Sequence, residues 1–392
     1  MIDQAVIFCG GYGRRLSTIT KRIPKPMVYV NKKPFLLHLI EQCKSNGIKE
    51  FILLVGYKYQ KIKTYFGNGK KFGVRIKYQY DKPEIETYKR LYNAKKLLKL
   101  KFLLLYCDNY SSLNLHDLYD NFKKSKSKFI LTICNKKNGN LLIDKKRNKI
   151  KKYFFNKNSL SNYVEIGYMI ISKKIVISNY NHKNLVFNFL INKLVKKNLV
   201  DFYLNDTGYL SISDPTRLKN TRKYFSKKVI LVDRDGVLNL KNDKHFYVRD
   251  LNELKVNTVF LKKYRKILKK KIILCISNQA GISTGDLTLK NLKKINNKIK
   301  KDCFRYGVKI LEFFISIHHF RSNHFFRKPN HGLFLNSAQK YKYILDRSFY
   351  IGDDLRDIEA SYRAKTKCLY IGKKPINKTL KAKYKNTMIQ KL

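Results

Sequence analysis

The sequence predicts an α/β protein built as two Rossmann-like domains, each around a mainly parallel sheet. Three observations carry that expectation. Both halves alternate short apolar runs with amphipathic stretches, the pattern of strands joined by crossover helices. A glycine-rich turn, Gly10-Gly11-Tyr12-Gly13-Arg14-Arg15, directly follows the first apolar run. An acidic turn, Asp233-Arg234-Asp235-Gly236, follows a later apolar run in the same way. Open α/β sheets bind ligands at the carboxyl ends of their strands, so both turns stand where chemistry is expected.

In chain order, the first strand covers 5–8 and delivers the glycine-rich turn. A helical stretch over 34–45 precedes strands over 51–55 and 75–78, and a second helical stretch covers 92–98. A strand over 102–106 leads into Asp108. Strands over 128–133 and 164–171 follow, then a helix over 187–196 and a strand over 201–204 that ends at Asn205-Asp206-Thr207-Gly208. Ser213-Asp214-Pro215 opens a polar, basic segment that runs to Lys228. The domains are therefore drawn as 1–218 and 219–392, with the join near residue 220. In the second domain, strands over 229–232, 272–276 and 349–351 end at Asp233, Ser277 and Gly352-Asp353-Asp354. Between them Leu289, Leu292, Ile295, Ile299 and Cys303 recur at helical spacing, one buried stripe on a helix otherwise covered by Lys and Asn.

With 392 residues, 44% of them hydrophobic, the chain can fill two cores, which excludes a disordered protein. No apolar run reaches membrane-spanning length and the chain enters a strand almost at once, so neither an anchor nor a signal peptide is expected, and the location is expected to be cytoplasmic. The seven cysteines are scattered, as free thiols of a reducing compartment would be. A formal charge of +58 is what a polyanion binder would carry. Yet Lys, Asn, Ile, Tyr and Phe abound, Gly numbers only 18 and Pro 7, and Trp is absent, the signature of A+T-rich codons. The lysines are spread through both halves rather than gathered in one tail, so no specific nucleic acid is expected as a partner, and no membrane; the partners expected, small-molecule sugar phosphates and a nucleotide, are those that the resemblances given below imply.

The second half offers four pieces in order: Asp233-Arg234-Asp235-Gly236, Ser277-Asn278-Gln279, Arg327-Lys328-Pro329 and Gly352-Asp353-Asp354. Singly, each reads as a surface turn, a cap or a basic loop. Together they supply a nucleophile, a phosphate anchor, a cation and a metal ligand. Asp233 at a strand end can attack phosphorus and carry the phosphoryl group. Asp235 can protonate the leaving oxygen and later deprotonate water, and Gly236 permits the sharp turn between them. Carboxylates beside a phosphate need a hard cation, for which Mg2+ suits oxygen ligands, here Asp233, Asp235 and Asp353. Ser277 offers a hydroxyl and Lys328 a charge that offsets the transition state, with Asn278 and Arg327 beside them for substrate.

Residues 227–375 resemble the haloacid dehalogenase superfamily of phosphatases. Asp233-Arg234-Asp235-Gly236-Val237-Leu238-Asn239 and Asn278-Gln279-Ala280-Gly281-Ile282 are similar to its D,D-heptose 1,7-bisphosphate phosphatase branch, with histidinol phosphatase as a relative. The resemblance implies the roles given above for Asp233, Asp235, Ser277, Lys328 and Asp353, adds Asp357 as a final acidic residue, and implies no large cap domain. That branch often holds a structural zinc. Its positions here read Ser316, His318, His324 and Phe326, leaving two nitrogen ligands, too few for a closed tetrahedral site; zinc is not expected, although His319 and His331 lie close in sequence.

In the first half, Gly10, Gly11 and Gly13 let backbone N–H groups approach a polyphosphate, while Arg15 and Lys25 add charge. With Pro24-Lys25-Pro26-Met27, the turn resembles the opening of sugar-nucleotide pyrophosphorylases over residues 4–215, with Arg14 where relatives carry Thr. The resemblance implies a GT-A-like nucleotidyltransferase fold, a nucleoside triphosphate (GTP or ATP) as co-substrate, a metal on Asp108 and Asp206, and sugar binding near Glu165 and Gly167. Relatives carry a small, glycine-rich stretch where this chain reads Glu86-Thr87-Tyr88-Lys89-Arg90, so either the ligand space is filled or the loop is re-routed. The pairing implies a bifunctional enzyme: the phosphatase removes the 7-phosphate of heptose 1,7-bisphosphate, and the first domain adds a nucleotidyl group to the heptose 1-phosphate that remains, for surface polysaccharide. The alternatives are a phosphatase with a degenerate first domain, and a nucleic-acid-binding protein on old enzyme folds.

Overall fold

Gln4–Cys9 (β1) is apolar on both faces and all of its residues are buried, as are those of Glu50–Val55 (β2), the pattern of parallel strands covered on both sides. The computed structural model describes residues 2–182, 185–242 and 248–389. Two compact units emerge, Met1–Arg222 and Lys223–Leu392. The basic stretch after Ser213 is a helix, Pro215–Ser226, and the division falls inside it.

In the first unit, β1 and β2 are joined by Arg75–Tyr80 (β3), Lys101–Tyr106 (β4), Phe129–Asn135 (β5), Leu141–Asp144 (β6), Lys149–Tyr153 (β7), Tyr163–Ser172 (β8) and Asp201–Leu204 (β9). The order β3-β2-β1-β4 is parallel; β8 then runs antiparallel to β4 and forks, pairing β5 along most of its length and β6 at Tyr163. Strand order reverses between β1 and β4, so the loops after these strands diverge and open a crevice. The core under the sheet gathers Val6, Phe8, Ile52, Leu104, Met169 and Phe187.

The second unit holds Val229–Val232 (β10), Ile272–Asn278 (β11), Ile310–Ser316 (β12), Phe349–Gly352 (β13) and Lys367–Tyr370 (β14), all parallel in the order β12-β11-β10-β13-β14. Alternate residues of β10 go to opposite faces: Ile230 and Val232 to one core, Val229 and Leu231 to the other. The reversal here lies between β10 and β13.

Several elements depart from the sequence expectation. The helix expected over 92–98 begins earlier, as Thr87–Asn93 continued by the tight turn Ala94–Lys96, because Tyr88, Leu91 and Ala94 form its buried face. Leu289 is 63% exposed at the start of helix Leu289–Arg305 and leaves the stripe that Leu292, Ile295, Ile299 and Cys303 form. Ser277 and Asn278 belong to β11 rather than to the loop after it. Helices Tyr59–Phe66 and Leu115–Lys124 and the β6–β7 hairpin are additional. All seven thiols are free, and among the described residues no helix is long and apolar enough to cross a membrane.

Candidate active sites

In the second unit the ends of β10, β11 and β13 converge on one buried ammonium. Lys328 Nζ lies 2.8 Å from Asp233 Oδ2 and 2.8 Å from Asp357 Oδ1, and donates to the Tyr350 hydroxyl at 2.7 Å. Burial disfavours its charge, but Asp233 and Asp357 outweigh this and hold it protonated above the ordinary lysine range. Asn278 clamps the backbone of Lys328 from β11, donating to its carbonyl and accepting its N–H, both at 3.0 Å.

Asp233 Oδ1 accepts the Arg234 N–H at 2.7 Å. Burial pushes its carboxyl up to about 7; Lys328 opposes the rise, and Asp357 and Asp353 add to it. Carboxylate oxygens of Asp233, Asp353 and Asp357 come within 4.8 Å of one another. Asp353 Oδ2 meets Lys241 Nζ at 2.5 Å, while Asp353 Oδ1 is buried without a hydrogen-bond partner. Three converging carboxylates with an orphaned acceptor fit a hard divalent cation such as Mg2+. Gly236 makes this approach possible, since a Cβ there would lie 2.2 Å from Asp353 Oδ2 and its φ is +87°.

Asp235 stands apart from that trio. Its Oδ1 accepts from Arg234 and, at 2.9 Å, from Asn239; its Oδ2 accepts from Gln279 at 2.6 Å. Burial works against its charge, yet these partners hold the carboxyl below the usual range. Of the expected metal set Asp233, Asp235 and Asp353, the structure brings Asp233 and Asp353 together and adds Asp357 beside them, while the Asp235 side chain turns to Arg234, Asn239 and Gln279. Ser277 is buried and its hydroxyl accepts from Gln279 at 2.9 Å. Asp233, Asp235, Ser277, Asn278, Arg327, Lys328 and Asp353 all line one cavity of about 460 Å3, with Lys241, Phe320 and Arg356 at its wall. Arg234, Gln279, Tyr350 and Lys241 also hold the site together, without a role expected from the sequence. Arg234 is the one of these with a local signal, a basic residue between the two acidic ones, and it is fully buried.

His318 and His324 stack with ring centroids 3.3 Å apart, and Phe326 packs against His324. Among the described residues the three-carboxylate cluster is the one group of three or more metal-type side chains drawn together.

In the first unit the glycine-rich turn faces the end of β4. Gly10, Gly11, Gly13, Arg15, Lys25 and Asp108 line a cavity of about 750 Å3, shared with the 83–87 loop and Arg90. Lys25 Nζ and Asp108 Oδ2 pair at 2.5 Å. Gly13 has φ +68°, which a side chain rarely adopts. Tyr12 donates its hydroxyl to Glu84, closing one edge. Glu165 and Gly167 sit behind this wall: a Cβ on Gly167 would lie 2.5 Å from the ring of Tyr106, itself a lining residue. Glu165 is buried, accepts the Gly167 N–H, and burial pushes its carboxyl up to about 8, with Asp108 adding to the rise and the Gly167 N–H opposing it. Asp206 lies on an exposed turn and is not among the residues lining the cavity that holds Asp108.

Residues 4–198 match the nucleotidyl transferase family model. Residues 228–382 match the polynucleotide kinase 3 phosphatase model. A nucleotidyl transferase domain is followed by a phosphatase-family domain. The nucleotidyl transferase domain is 41% identical over 130 residues to the D-glycero-alpha-D-manno-heptose 1-phosphate guanylyltransferase of Campylobacter jejuni, an alignment covering 33% of this chain and 57% of that protein. The enzyme of the same name from Aneurinibacillus thermoaerophilus is 38% identical over 84 residues, 21% of this chain and 36% of that one. The chain thus spans 57% or less of the length of these curated relatives. HddC from Yersinia pseudotuberculosis, also solved with GMP-PN, shares the fold of this domain at 22% identity and a TM-score of 0.50, over 57% of this chain and 100% of that one.

Proposed function

We propose that the chain is a bifunctional sugar-phosphate enzyme. Its phosphatase domain removes the 7-phosphate of D-glycero-D-manno-heptose 1,7-bisphosphate, and its nucleotidyl transferase domain joins the resulting heptose 1-phosphate to a nucleotide. The observation that carries this reading is the presence of two cavities on one chain whose linings suit a phosphate, one built on Asp233 and Lys328 and the other on a glycine-rich turn with Lys25 and Asp108. Heptose 1-phosphate guanylyltransferases among the relatives favour the heptose and favour GTP over ATP.

In the phosphatase domain, Asp233 attacks phosphorus and the bond to the sugar oxygen breaks. Lys328 neutralises the equatorial oxygens, and Ser277 offers its hydroxyl. Asp235 enters the first step as the protonated acid and gives that proton to the leaving oxygen; the carboxylate that remains then takes one from the water that hydrolyses the aspartyl phosphate. Its hydrogen bonds to Arg234, Asn239 and Gln279 favour the ionised form, the form that second step needs. Asp233, Asp353 and Asp357 would hold Mg2+, whose charge offsets that of the phosphate when bound. In the nucleotidyl transferase domain, Arg15, Lys25 and the amides of the turn position the triphosphate. A sugar-phosphate oxygen attacks the α-phosphorus and pyrophosphate leaves, without a covalent enzyme intermediate.

A second reading is favoured by the phosphatase family model and by the charge of +58: the phosphatase domain acts on a nucleic-acid 3′-phosphate. The test supplies Mg2+ with heptose 1,7-bisphosphate, histidinol phosphate or an oligonucleotide 3′-phosphate, and measures phosphate. Release chiefly from the heptose bisphosphate supports the first reading. Release chiefly from the oligonucleotide replaces it with the second, and release chiefly from histidinol phosphate rejects the heptose assignment.

A further inference from the structure

The stretch over 86–90, which departs from the glycine-rich pattern of the family it resembles, ends in a buried arginine. Arg90, 3% exposed, donates to the carbonyl of Val55 at 2.7 Å, of Asp81 at 3.1 Å, of Lys82 at 2.9 Å and of Ile85 at 3.0 Å. Val55 ends β2, and the other three follow β3. The guanidinium also lies against the turn after β1, because a Cβ on Gly10 would fall 2.5 Å from Arg90 Cζ. One side chain therefore ties together the carboxyl-end loops of three adjacent parallel strands, and it lines the cavity they form.

We propose that Arg90 is the positioning residue that holds the glycine-rich turn against the 81–86 loop and so sets the affinity of this domain for the polyphosphate of a nucleoside triphosphate. The inference rests on the nucleotidyl-transfer reading of the domain. Each carbonyl that Arg90 collects is an acceptor withdrawn from an approaching polyanion, which it would otherwise repel. The buried guanidinium also places a permanent positive charge beneath the turn, where the low dielectric makes it felt. The glycine at position 10 gains a reason as well. Its φ lies outside the left-handed region, and the three atoms nearest to an added Cβ all belong to Arg90.

The experiment compares the full chain with Arg90→Lys, Arg90→Ala, Gly10→Ala and the Gly10→Ala/Arg90→Ala double variant. GTP binding is measured by calorimetry, and GTP and heptose 1-phosphate kinetics by pyrophosphate release. Lysine cannot fork across these carbonyls, which include that of Pro83 at 3.5 Å, so Arg90→Lys is expected to raise the GTP Kd and KM by about tenfold, with the KM for the sugar phosphate near its wild-type value. Gly10→Ala is expected to weaken GTP binding alone, and to add nothing once Arg90 is alanine. Should Arg90→Ala not fold, Arg90→Lys and Gly10→Ala decide. A wild-type GTP KM in Arg90→Lys, or additive losses in the double variant, overturns the inference. A wild-type chain that binds no nucleoside triphosphate overturns the nucleotidyl-transfer reading itself, and this inference with it.

Discussion

Gly236 and Asp353 show how closely the phosphatase residues depend on one another. A methyl group at Gly236 meets the Asp353 carboxylate and also needs a backbone conformation that side chains avoid. Gly236→Ala should cost about 1–2 kcal/mol of stability from the backbone alone. By shifting Asp353 about 1 Å it should also cut phosphate release by about a hundredfold, while pyrophosphate release continues. Parallel phosphate and pyrophosphate assays check this. Glu165 makes a different residue-scale prediction. Its folded pKa, about 8, stands above the unfolded value of about 4.5. The folded state therefore binds more protons across that window, and stability falls as pH rises from 5 to 8. Glu165→Gln should flatten this slope, as read from denaturant midpoints at the two pH values. Asp233, Asp235, Ser277 and Asp353 were legible because each ends or closely follows an apolar run, and Lys328 because it stands in Arg327-Lys328-Pro329, in order with the other three pieces. The place of Asp357 in the carboxylate trio was not, because it lies one helical turn beyond Asp353 and joins the others only once that helix forms.

At the scale of elements, helix Leu355–Arg363 does two jobs with one turn. Asp354 caps it in a reciprocal box with Asp357, whose Oδ2 accepts the N–H groups of Asp353 and Asp354 while Oδ1 faces Lys328. Asp354→Ala should lower stability by about 1 kcal/mol, visible as an earlier denaturation midpoint. Strands such as β1, β2, β4 and β10 were legible because their runs are apolar on both faces. Helix Thr87–Asn93 starts before the expected 92–98, and the signal for it lies in Tyr88, Leu91 and Ala94, which have the spacing of a buried helical face amid the charged Glu86, Lys89 and Arg90. The β6–β7 hairpin was missed for another reason: Lys149–Tyr153 is mostly charged, and only Ile150 and Tyr153 are buried.

For the whole molecule, the charge of +58 and the two cavities make separate claims. If the lysines are a compositional background, binding to single-stranded DNA should fall steeply between about 50 and 200 mM salt, and phosphate release from a sugar phosphate should change little. Binding that survives this range, followed by gel shift, would point to a nucleic-acid substrate instead. Two independent sites that act in succession should come apart in Asp233→Asn, given heptose 1,7-bisphosphate or heptose 1-phosphate, each with GTP and Mg2+, with nucleotide-heptose measured. The variant should make product from the monophosphate and none from the bisphosphate, whereas the wild type makes it from both. Loss of product from the monophosphate in a folded Asp233→Asn protein would mean that the two sites are not independent.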